Sequence, residues 1–304
     1  MMSVSILEAE PQLAARPDQD DVLLEAEKRA FHTDMPRLPI ALDRGRVARA
    51  WLPPNARLLD IGCSSGMHVR HLARKAQYVA AVDVDRVALE VARRKIRSSR
   101  VNFFQYDGAQ LPFADESFDA VSTLDVLEHV ADREALVCEV LRVLRPGGVW
   151  TVTVPYRGPL TRFSPENMSA DFPRLFAWLR AWTRPQPWIT GHNATGRRHH
   201  HFSISDMRNL IAGRMTTERV TRRGSLPYAL FYLGLCFRPR RLARLWTMAC
   251  GAAMAADYQI AYGPFAYNLA MQFRKPVAAP LAELLEANAD GEEQVSLQWS
   301  RRAA

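Results

Sequence analysis

The sequence predicts an α/β protein with a mostly parallel sheet and helices on both faces. Three short runs of apolar and aromatic residues carry this prediction, and they end at Asp60, Asp83 and Asp107, about two dozen residues apart. A helical pattern follows each of the first two runs. This alternation is typical of βαβ units and a parallel sheet. Because the first two runs are apolar at nearly every position, we expect strands that are buried on both faces.

A glycine-bounded turn follows the first predicted strand, in the phrase LLDIGCSSG. Gly62 and Gly66 lack a Cβ, so a ligand could approach the backbone closely. The helix predicted in MHVRHLARKA would direct its first amides at that ligand. A nicotinamide-dinucleotide fingerprint requires a further glycine in the middle of this loop, where the chain has Ser64. The loop by itself is equally consistent with a tight strand-to-helix turn.

An acid ends the second predicted strand, in the phrase YVAAVDVD. Asp83 could accept hydrogen bonds from two ribose hydroxyls, as acids at this place do in nucleotide-binding sheets. The alternative role is an N-cap of the next helix. Asp85 is better placed for that cap, because the helical pattern VALEVARRKI follows it directly. We therefore expect Asp83 to bind ribose.

Two later segments extend the pattern, beginning with DGAQLPFADESFD after the third strand. The segment FDAVSTLDVLEHVADREALVCEVLRVLRPGGVWTVTVP predicts a strand at 120–123, a helix over about 133–144 ended by Pro-Gly-Gly, and a strand at 149–154. From 58 to 155 these segments resemble, in order, the class I S-adenosylmethionine-dependent methyltransferases of the ubiquinone and menaquinone biosynthesis type. The resemblance implies a Rossmann-like, seven-stranded methyltransferase sheet with an inserted acceptor-binding or lid region.

The same resemblance implies S-adenosyl-L-methionine (SAM) as cofactor. It places the methionine part at the glycine-bounded loop and the ribose at Asp83 and Val84. Asp107 would accept from the adenine amine, with Gly108 and Ala109 beside the ring, although a simple Asp-Gly turn is the alternative. The residues assigned to the cofactor are Asp60, Gly62, Cys63, Ser64, Gly66, Asp83, Val84, Asp107, Gly108, Ala109 and Leu124.

His129, in the phrase DVLEH, is the candidate catalytic base. Methyl transfer is an in-line displacement that mainly needs positioning of the acceptor and exclusion of water. A base is required only for a hydroxyl or a protonated amine. Helix capping or packing beside the cofactor is the alternative role for this histidine. The acid-x-x-Glu-His phrase also resembles O-methyltransferases in which a divalent ion has a role, but we assign no metal ligands.

The region after residue 155 is where we expect acceptor specificity. Four of its histidines, at 192 and 199–201, lie in one predicted loop. Adjacent histidines cannot all ligate one ion, so we expect one to line the acceptor pocket rather than a metal site. Arg197 and Arg198 could hold a phosphate or carboxylate of the acceptor, or belong to a solvated basic loop. Ser203 or Ser205 would cap the helix that follows.

Two apolar runs within 224–256 are flanked by arginines. They are too short to span a bilayer. Their basic and aromatic flanks favour contact with an anionic membrane surface or with an apolar, lipid-linked acceptor, and burial in the sheet is the alternative. The arginines concerned are Arg238, Arg240, Arg241 and Arg244.

Composition sets broader limits. The chain has 304 residues, of which 48% are hydrophobic, and a net charge of +8 that favours anionic partners. Its four cysteines form no C-x-x-C pair, which indicates neither a zinc site nor a disulfide framework and favours a reducing, cytoplasmic compartment. The first residues lack the layout of a secretory signal. The sequence gives no indication of oligomeric state.

These patterns predict five regions. The regions are a flexible N-terminus (1–20), cover helices (21–54), a SAM-binding core (55–155), an acceptor-binding insertion with the last strands (156–276) and a flexible tail (277–304). The last strand is predicted from about residue 262.

Three rival functions are weighed against a methyltransferase that acts on a small-molecule or lipid-linked acceptor, with oxygen favoured. Nucleic-acid methylation fits the charge, but the N/D-P-P-Y/F clamp is missing after the fourth strand and no RNA-binding module is appended. The serine in the glycine loop counts against a nicotinamide oxidoreductase. A degenerate, non-catalytic domain is disfavoured by the complete set of acids and glycines.

Overall fold

A computed structural model describes residues 40–159, 200–224 and 256–277, with isolated positions at 29, 174, 245, 249 and 253. Several sequence predictions lie outside the described residues. They concern most of the first cover helix, much of the arginine-flanked apolar runs, both chain ends, His192, His199, Arg197, Arg198, Arg238, Arg240, Arg241 and Arg244.

The described helices and strands follow one another in the predicted alternation. The helices are α1 (Ile40–Trp51), α2 (Val69–Leu72), α3 (Arg86–Lys95), α4 (Arg133–Val143) and α5 (Ile204–Ile211). The strands are β1 (Arg57–Ile61), β2 (Tyr78–Asp83), β3 (Val101–Gln105), β4 (Phe118–Leu124), β5 (Leu144–Pro155), β6 (Thr216–Arg223) and β7 (Asn268–Arg274). Within the described ranges, no helix is long and apolar enough to cross a membrane.

The strands form one sheet in the order β3-β2-β1-β4-β5-β7-β6. Neighbours pair in parallel from β3 to β5, whereas β7 runs antiparallel to both β5 and β6. The strand order reverses between β1 and β4, and ligands of open α/β sheets bind at the carboxyl ends of the strands flanking such a point. The predicted α/β sheet is therefore confirmed, and a ligand site is expected at this edge of it.

Apolar side chains cover both faces of the sheet, as expected for central parallel strands. Trp150, Phe118 and Phe273 lie on the face that α4 and α5 cover, each with at most 2% of its surface exposed. Leu52, just after α1, and Leu72 of α2 pack on the other face. The two packed faces hold the strands rigidly, so the loops at their carboxyl ends start from fixed positions.

The helix after the glycine loop is much shorter than predicted. Residues 64–68 form turns, and α2 then has only four residues. Gly66 adopts a φ of +79°, which is incompatible with a helical start at that point. The amide of Lys75 bonds to the carbonyl of Leu72 at 3.0 Å, three residues back, which tightens the chain after α2. A helix this short gives no support to the predicted amide-lined ligand site at its N-terminus.

Two strand boundaries also differ from the prediction. Gly263–Phe265 is a 3₁₀ turn, and β7 begins only at Asn268. The Pro-Gly-Gly segment belongs to the start of β5, although α4 does end just before it. The cause is pairing beyond the end of β7: Gly147 N–H donates to Lys275 O at 3.0 Å, and Lys275 N–H donates to Gly148 O at 2.9 Å.

Candidate functional site

The loop after β1 is tied to the end of β2. The N–H groups of Gly62 and Cys63 both donate to the carbonyl of Val82, at 2.8 and 3.0 Å. Ser64 N–H donates to Asp83 Oδ2 at 2.7 Å. Ser64 occupies the middle position of the loop in the left-handed region, with a φ of +48°. A serine therefore adopts there the conformation for which glycine is the usual residue, and a bond to Asp83 holds it.

The two glycines of this loop are explained by packing and by backbone conformation. Gly62 has a φ of +73°, and a Cβ there would lie 2.4 Å from Val126 Cγ2. Gly66 has a φ of +79°, and a Cβ there would lie 2.6 Å from Ile96 Cδ1. On the side where a Cβ would project, a side chain of the protein lies close to each glycine. The absence of a Cβ therefore lets the loop pack closely against Val126 and Ile96.

Asp83 organises the end of β2. Its Oδ2 accepts from Ser64 N–H, and its Oδ1 accepts from Asp85 N–H at 2.9 Å. A carboxylate oxygen has two acceptor positions, so each oxygen can still accept from a ligand. Asp85 caps α3, accepting from the amides of Val87 and Ala88 at 2.9 and 3.3 Å. The prediction that Asp85 is the cap is confirmed.

Asp60 is a buried carboxyl group beside this loop, with 2% of its surface exposed. Burial raises its pKa from the ordinary value of 3.8 to about 7; the bond from Ser122 Oγ opposes this rise and the charge of Asp83 adds to it. That bond is 2.5 Å long. Burial also raises the pKa of the Cys63 thiol, which stays neutral. The Asp60 carboxyl group, one residue before the end of β1, is therefore expected to change charge near neutral pH.

The loop after β3 lies next to Val84. Asp107 Oδ1 accepts from the amides of Ala109 and Gln110 at 2.8 and 3.1 Å, which is the turn role weighed above. These two bonds lower the pKa of Asp107. Gly108 has a φ of +88°, and a Cβ there would lie 3.4 Å from Val84 Cγ1. Val84 has 54% of its surface exposed, and together with this loop it forms a small apolar surface with a carboxylate beside it.

His129 follows β4 on the opposite side of β1. Leu124 ends the strand with 6% of its surface exposed. The backbone N–H of His129 donates to Val126 O at 2.9 Å in a turn, and its side chain is exposed. The candidate base is therefore at the carboxyl edge of the sheet, two strands from Asp83.

An ion pair that the sequence did not reveal joins α1 to this edge. Arg44 of α1 pairs with Asp125, the residue after β4, and donates to Asn268 Oδ1 at 3.2 Å. Asp125 has a φ of +56° and accepts from Thr153 Oγ1 at 3.1 Å. The sequence places Arg44 in a predicted cover helix, but no local pattern indicates that it pairs with Asp125.

The two histidines of the 199–201 cluster that the structure describes lie in different environments. His201 is buried, with 6% of its surface exposed and its ring 6.5 Å from that of Tyr267, whereas His200 is exposed. Phe202 bridges to Tyr156 just beyond β5, which places this segment at the carboxyl edge. Ser203 caps α5 through a capping box with Asp206, as one of the two predicted caps. Among the described residues, no group of three His, Cys, Asp or Glu side chains could hold a metal ion.

The tertiary structure thus collects the predicted residues along one edge. Asp83 is hydrogen-bonded to the glycine-bounded loop, and its charge acts on Asp60. The Asp107 loop adjoins them because Tyr106 N–H donates to Asp83 O at 3.3 Å. A glycine-bounded loop after β1, acids after β2 and β3, and this strand order define the class I SAM-dependent methyltransferases.

Comparisons with known proteins agree with that class. The family profile described as a methyltransferase domain matches residues 59–152. The demethylmenaquinone methyltransferase of Clavibacter sepedonicus is 35% identical over 230 residues, covering 68% of this chain and 91% of the relative. The chain belongs to the class I SAM-dependent methyltransferase family, whose cofactor is SAM.

Other curated relatives are matched over a smaller part of their length, and a solved structure shares the fold. The ubiquinone biosynthesis O-methyltransferase of Sinorhizobium medicae is 34% identical over 136 residues, which are 43% of this chain and 55% of the relative. Several further curated relatives are matched over only 35–47% of their own length. A chain from the complex of the Haloferax volcanii Trm112 methyltransferase activator with a methyltransferase has a TM-score of 0.52 at 16% identity, covering 86% of this chain and 100% of that chain. This likeness shows the fold.

Proposed function

We propose that this protein transfers a methyl group from SAM to a small-molecule or lipid-linked acceptor, with oxygen as the favoured atom. The observation that carries the proposal is the bond between Ser64 and Asp83. It joins the two segments that would enclose the nucleoside and the methionine part of one cofactor. A charged side chain that fixes a loop and keeps acceptor positions for a ligand is an arrangement suited to binding.

The described residues fit SAM at three points. Asp83 has acceptor positions for two ribose hydroxyls, and the exposed Val84 with Gly108 offers an apolar surface for the adenine ring. Both turn bonds of Asp107 use Oδ1, so Oδ2 can accept from the adenine amine, and Ala109 follows beside the ring. The methionine part would lie against the chain that includes Asp60, Gly62, Cys63, Ser64, Gly66 and Leu124.

Methyl transfer requires this protein mainly to position the acceptor. When bound, SAM supplies an electrophilic methyl group on a cationic sulfonium. The protein's residues would align the acceptor with that group and exclude water. Helix α1, which Arg44 joins to Asp125, would cover this edge. His129 would accept the proton of a hydroxyl acceptor, since it lies exposed just beyond β4.

The names of two relatives support the acceptor class. One is a demethylmenaquinone methyltransferase and the other a ubiquinone biosynthesis O-methyltransferase. Both are named for quinones, whose rings carry apolar tails, and only the second name specifies oxygen as the methylated atom. We therefore propose a lipid-linked hydroxyl acceptor as the first class to test.

Cofactor binding is the first test of this function. We expect isothermal titration of the purified chain to give micromolar binding of S-adenosylhomocysteine and no binding of NADH.

Transfer of labelled methyl from SAM into a lipid extract would then identify the acceptor. The variant His129→Asn should slow that transfer while leaving the cofactor affinity unchanged. Binding of the cofactor without transfer to lipids, small molecules or RNA would favour the non-catalytic alternative, and transfer to RNA alone would favour the nucleic-acid alternative.

We further propose that the protein works at an anionic membrane surface. Support comes from three exposed arginines, Arg46 and Arg49 on α1 and Arg74 after α2, whose charges all act on His71. Such a local excess of positive charge attracts anionic headgroups, by about 1 kcal/mol for each basic residue near the surface.

Vesicle co-sedimentation tests this surface. We expect the wild type to sediment with vesicles containing anionic lipid and to remain in solution with neutral vesicles. The variant Arg46→Ala/Arg49→Ala/Arg74→Ala and the variant Arg238→Ala/Arg240→Ala/Arg241→Ala/Arg244→Ala separate the two candidate contact regions. Sedimentation of both variants equal to that of the wild type would contradict an electrostatic membrane contact at either region.

A further inference from the structure

The chain that follows the Asp107 loop is fastened to helix α4 by two side chains. Leu111 N–H donates to Glu139 Oε2 at 2.7 Å. The guanidinium of Arg142 donates to the carbonyls of Leu111 and Phe113 at 3.0 and 2.7 Å. Arg142 also donates to both oxygens of Glu139, each at 2.8 Å. We call these two side chains the Glu139–Arg142 clamp.

The clamp is a partly buried and strongly coupled pair. The side chains of Glu139 and Arg142 are 16% and 24% exposed. The hydrogen bond from Arg142 holds the pKa of Glu139 below its ordinary value. A planar guanidinium can serve a carboxylate and two carbonyls at once, which a lysine ammonium cannot do with the same geometry. The clamp therefore keeps one fixed arrangement of the backbone at Leu111 and Phe113.

This arrangement determines how the Asp107 loop is held. Residues 107–110 are exposed, and Tyr106 anchors them upstream through its bond to Asp83 O. Leu111, with 2% of its surface exposed, anchors them downstream through the clamp. A short loop held at both ends samples few conformations, so less entropy is lost when it binds a ligand.

We infer that Glu139 and Arg142 are positioning residues for recognition of the adenine base. They act through the backbone of the 107–113 segment and set where the Asp107 carboxylate meets the ring. This inference rests on the proposed function, which assigns Asp107 to the adenine amine. It extends that function from the residues beside the base to a pair on a helix that lies behind them.

The test measures selectivity for the base together with affinity. S-Inosylhomocysteine carries an oxo group where S-adenosylhomocysteine carries the amine, so it cannot donate that bond to Asp107. We expect the wild type to prefer the adenosyl ligand in isothermal titration. Arg142→Met should weaken adenosyl binding by about tenfold and bring the affinity ratio of the two ligands close to one. A role in folding alone would weaken both ligands equally and leave the ratio unchanged.

Arg214→Met is the matched control. Arg214 also pairs with a glutamate of α4, Glu134, at 2.5 Å and donates to two carbonyls, those of Leu210 and Ile211, but it does so at α5. Its side chain is 29% exposed, close to the value for Arg142. We expect this variant to keep the wild-type affinities for both ligands.

Three outcomes would overturn the inference. A wild-type ratio in Arg142→Met, or an equal loss of selectivity in Arg214→Met, would show that the clamp does not position the base-binding loop. A wild type that binds both ligands equally would contradict the assignment of Asp107 itself, and with it the inference. If Arg142→Met does not fold, Arg142→Lys is measured in its place, because it keeps the charge and loses the planar guanidinium. Its affinity ratio for the two ligands should lie between the wild-type ratio and a ratio of one.

Discussion

Asp83→Ala is expected to weaken binding of S-adenosylhomocysteine by about 1–3 kcal/mol, or about five- to 150-fold. The variant would lose the hydrogen bonds proposed from the ribose hydroxyls. It would also release Ser64 N–H and Asp85 N–H, which Asp83 holds at 2.7 and 2.9 Å. Both effects act in the same direction, because the released loop must be ordered again when the cofactor binds. Isothermal titration of the folded variant measures the loss.

Two companion variants separate these causes. Asp83→Asn keeps one acceptor oxygen and should lose less affinity than Asp83→Ala. Asp85→Ala removes the cap of α3 and should lower the free energy of unfolding by about 0.5–2 kcal/mol, with little change in cofactor affinity. Wild-type affinity in a folded Asp83→Ala variant would rule out the ribose assignment.

Asp60→Asn is expected to remove a pH dependence of stability. The pKa of Asp60 is raised to about 7 in the folded protein, above its ordinary value of 3.8. An acid with a raised pKa in the folded state stabilises that state while it remains protonated, so its contribution is full below about pH 4 and is lost as the pH rises through 7. From pH 5 to pH 8 the wild type should lose about 2–3 kcal/mol of stability relative to the variant.

Denaturant unfolding of both proteins at several pH values measures this difference. The slopes are compared rather than the absolute stabilities, because a buried asparagine changes the hydrogen bonding with Ser122 at every pH. Parallel stability curves for the two proteins would show that Asp60 titrates near its ordinary pKa. A pH-dependent gain in stability when S-adenosylhomocysteine is added would further link this carboxyl group to the cofactor.

The most regular part of the chain was predictable from local pattern. The apolar runs before Asp60 and Asp83 are β1 and β2, and the helical pattern after Asp85 is α3 with its cap. These features depend on burial and on capping chemistry, which act over a few residues. The apolar positions of the DREALVCEVLRV segment likewise identified α4 to within one residue.

Features that depend on distant partners were wrong or missing. The helix after the glycine loop was predicted too long, because Gly66 turns against Ile96. The helix does end just before the Pro-Gly-Gly segment, as predicted, but the pairing beside β7 that brings this segment into β5 was missed. Neither Ile96 nor the far end of β7 is near these segments in sequence, so no local pattern could reveal the contacts.

The sequence by itself determined the α/β class, the order of its strands and helices through β5, and the acids and glycines of the candidate cofactor site. Only the tertiary structure decided how these groups are held. The Asp83–Ser64 bond, the Arg44–Asp125 ion pair and the Glu139–Arg142 clamp each join segments from different parts of the chain. The physical reason is that periodicity records which side chains are buried, whereas hydrogen bonds and ion pairs depend on atoms that only the packed sheet brings within about 3 Å.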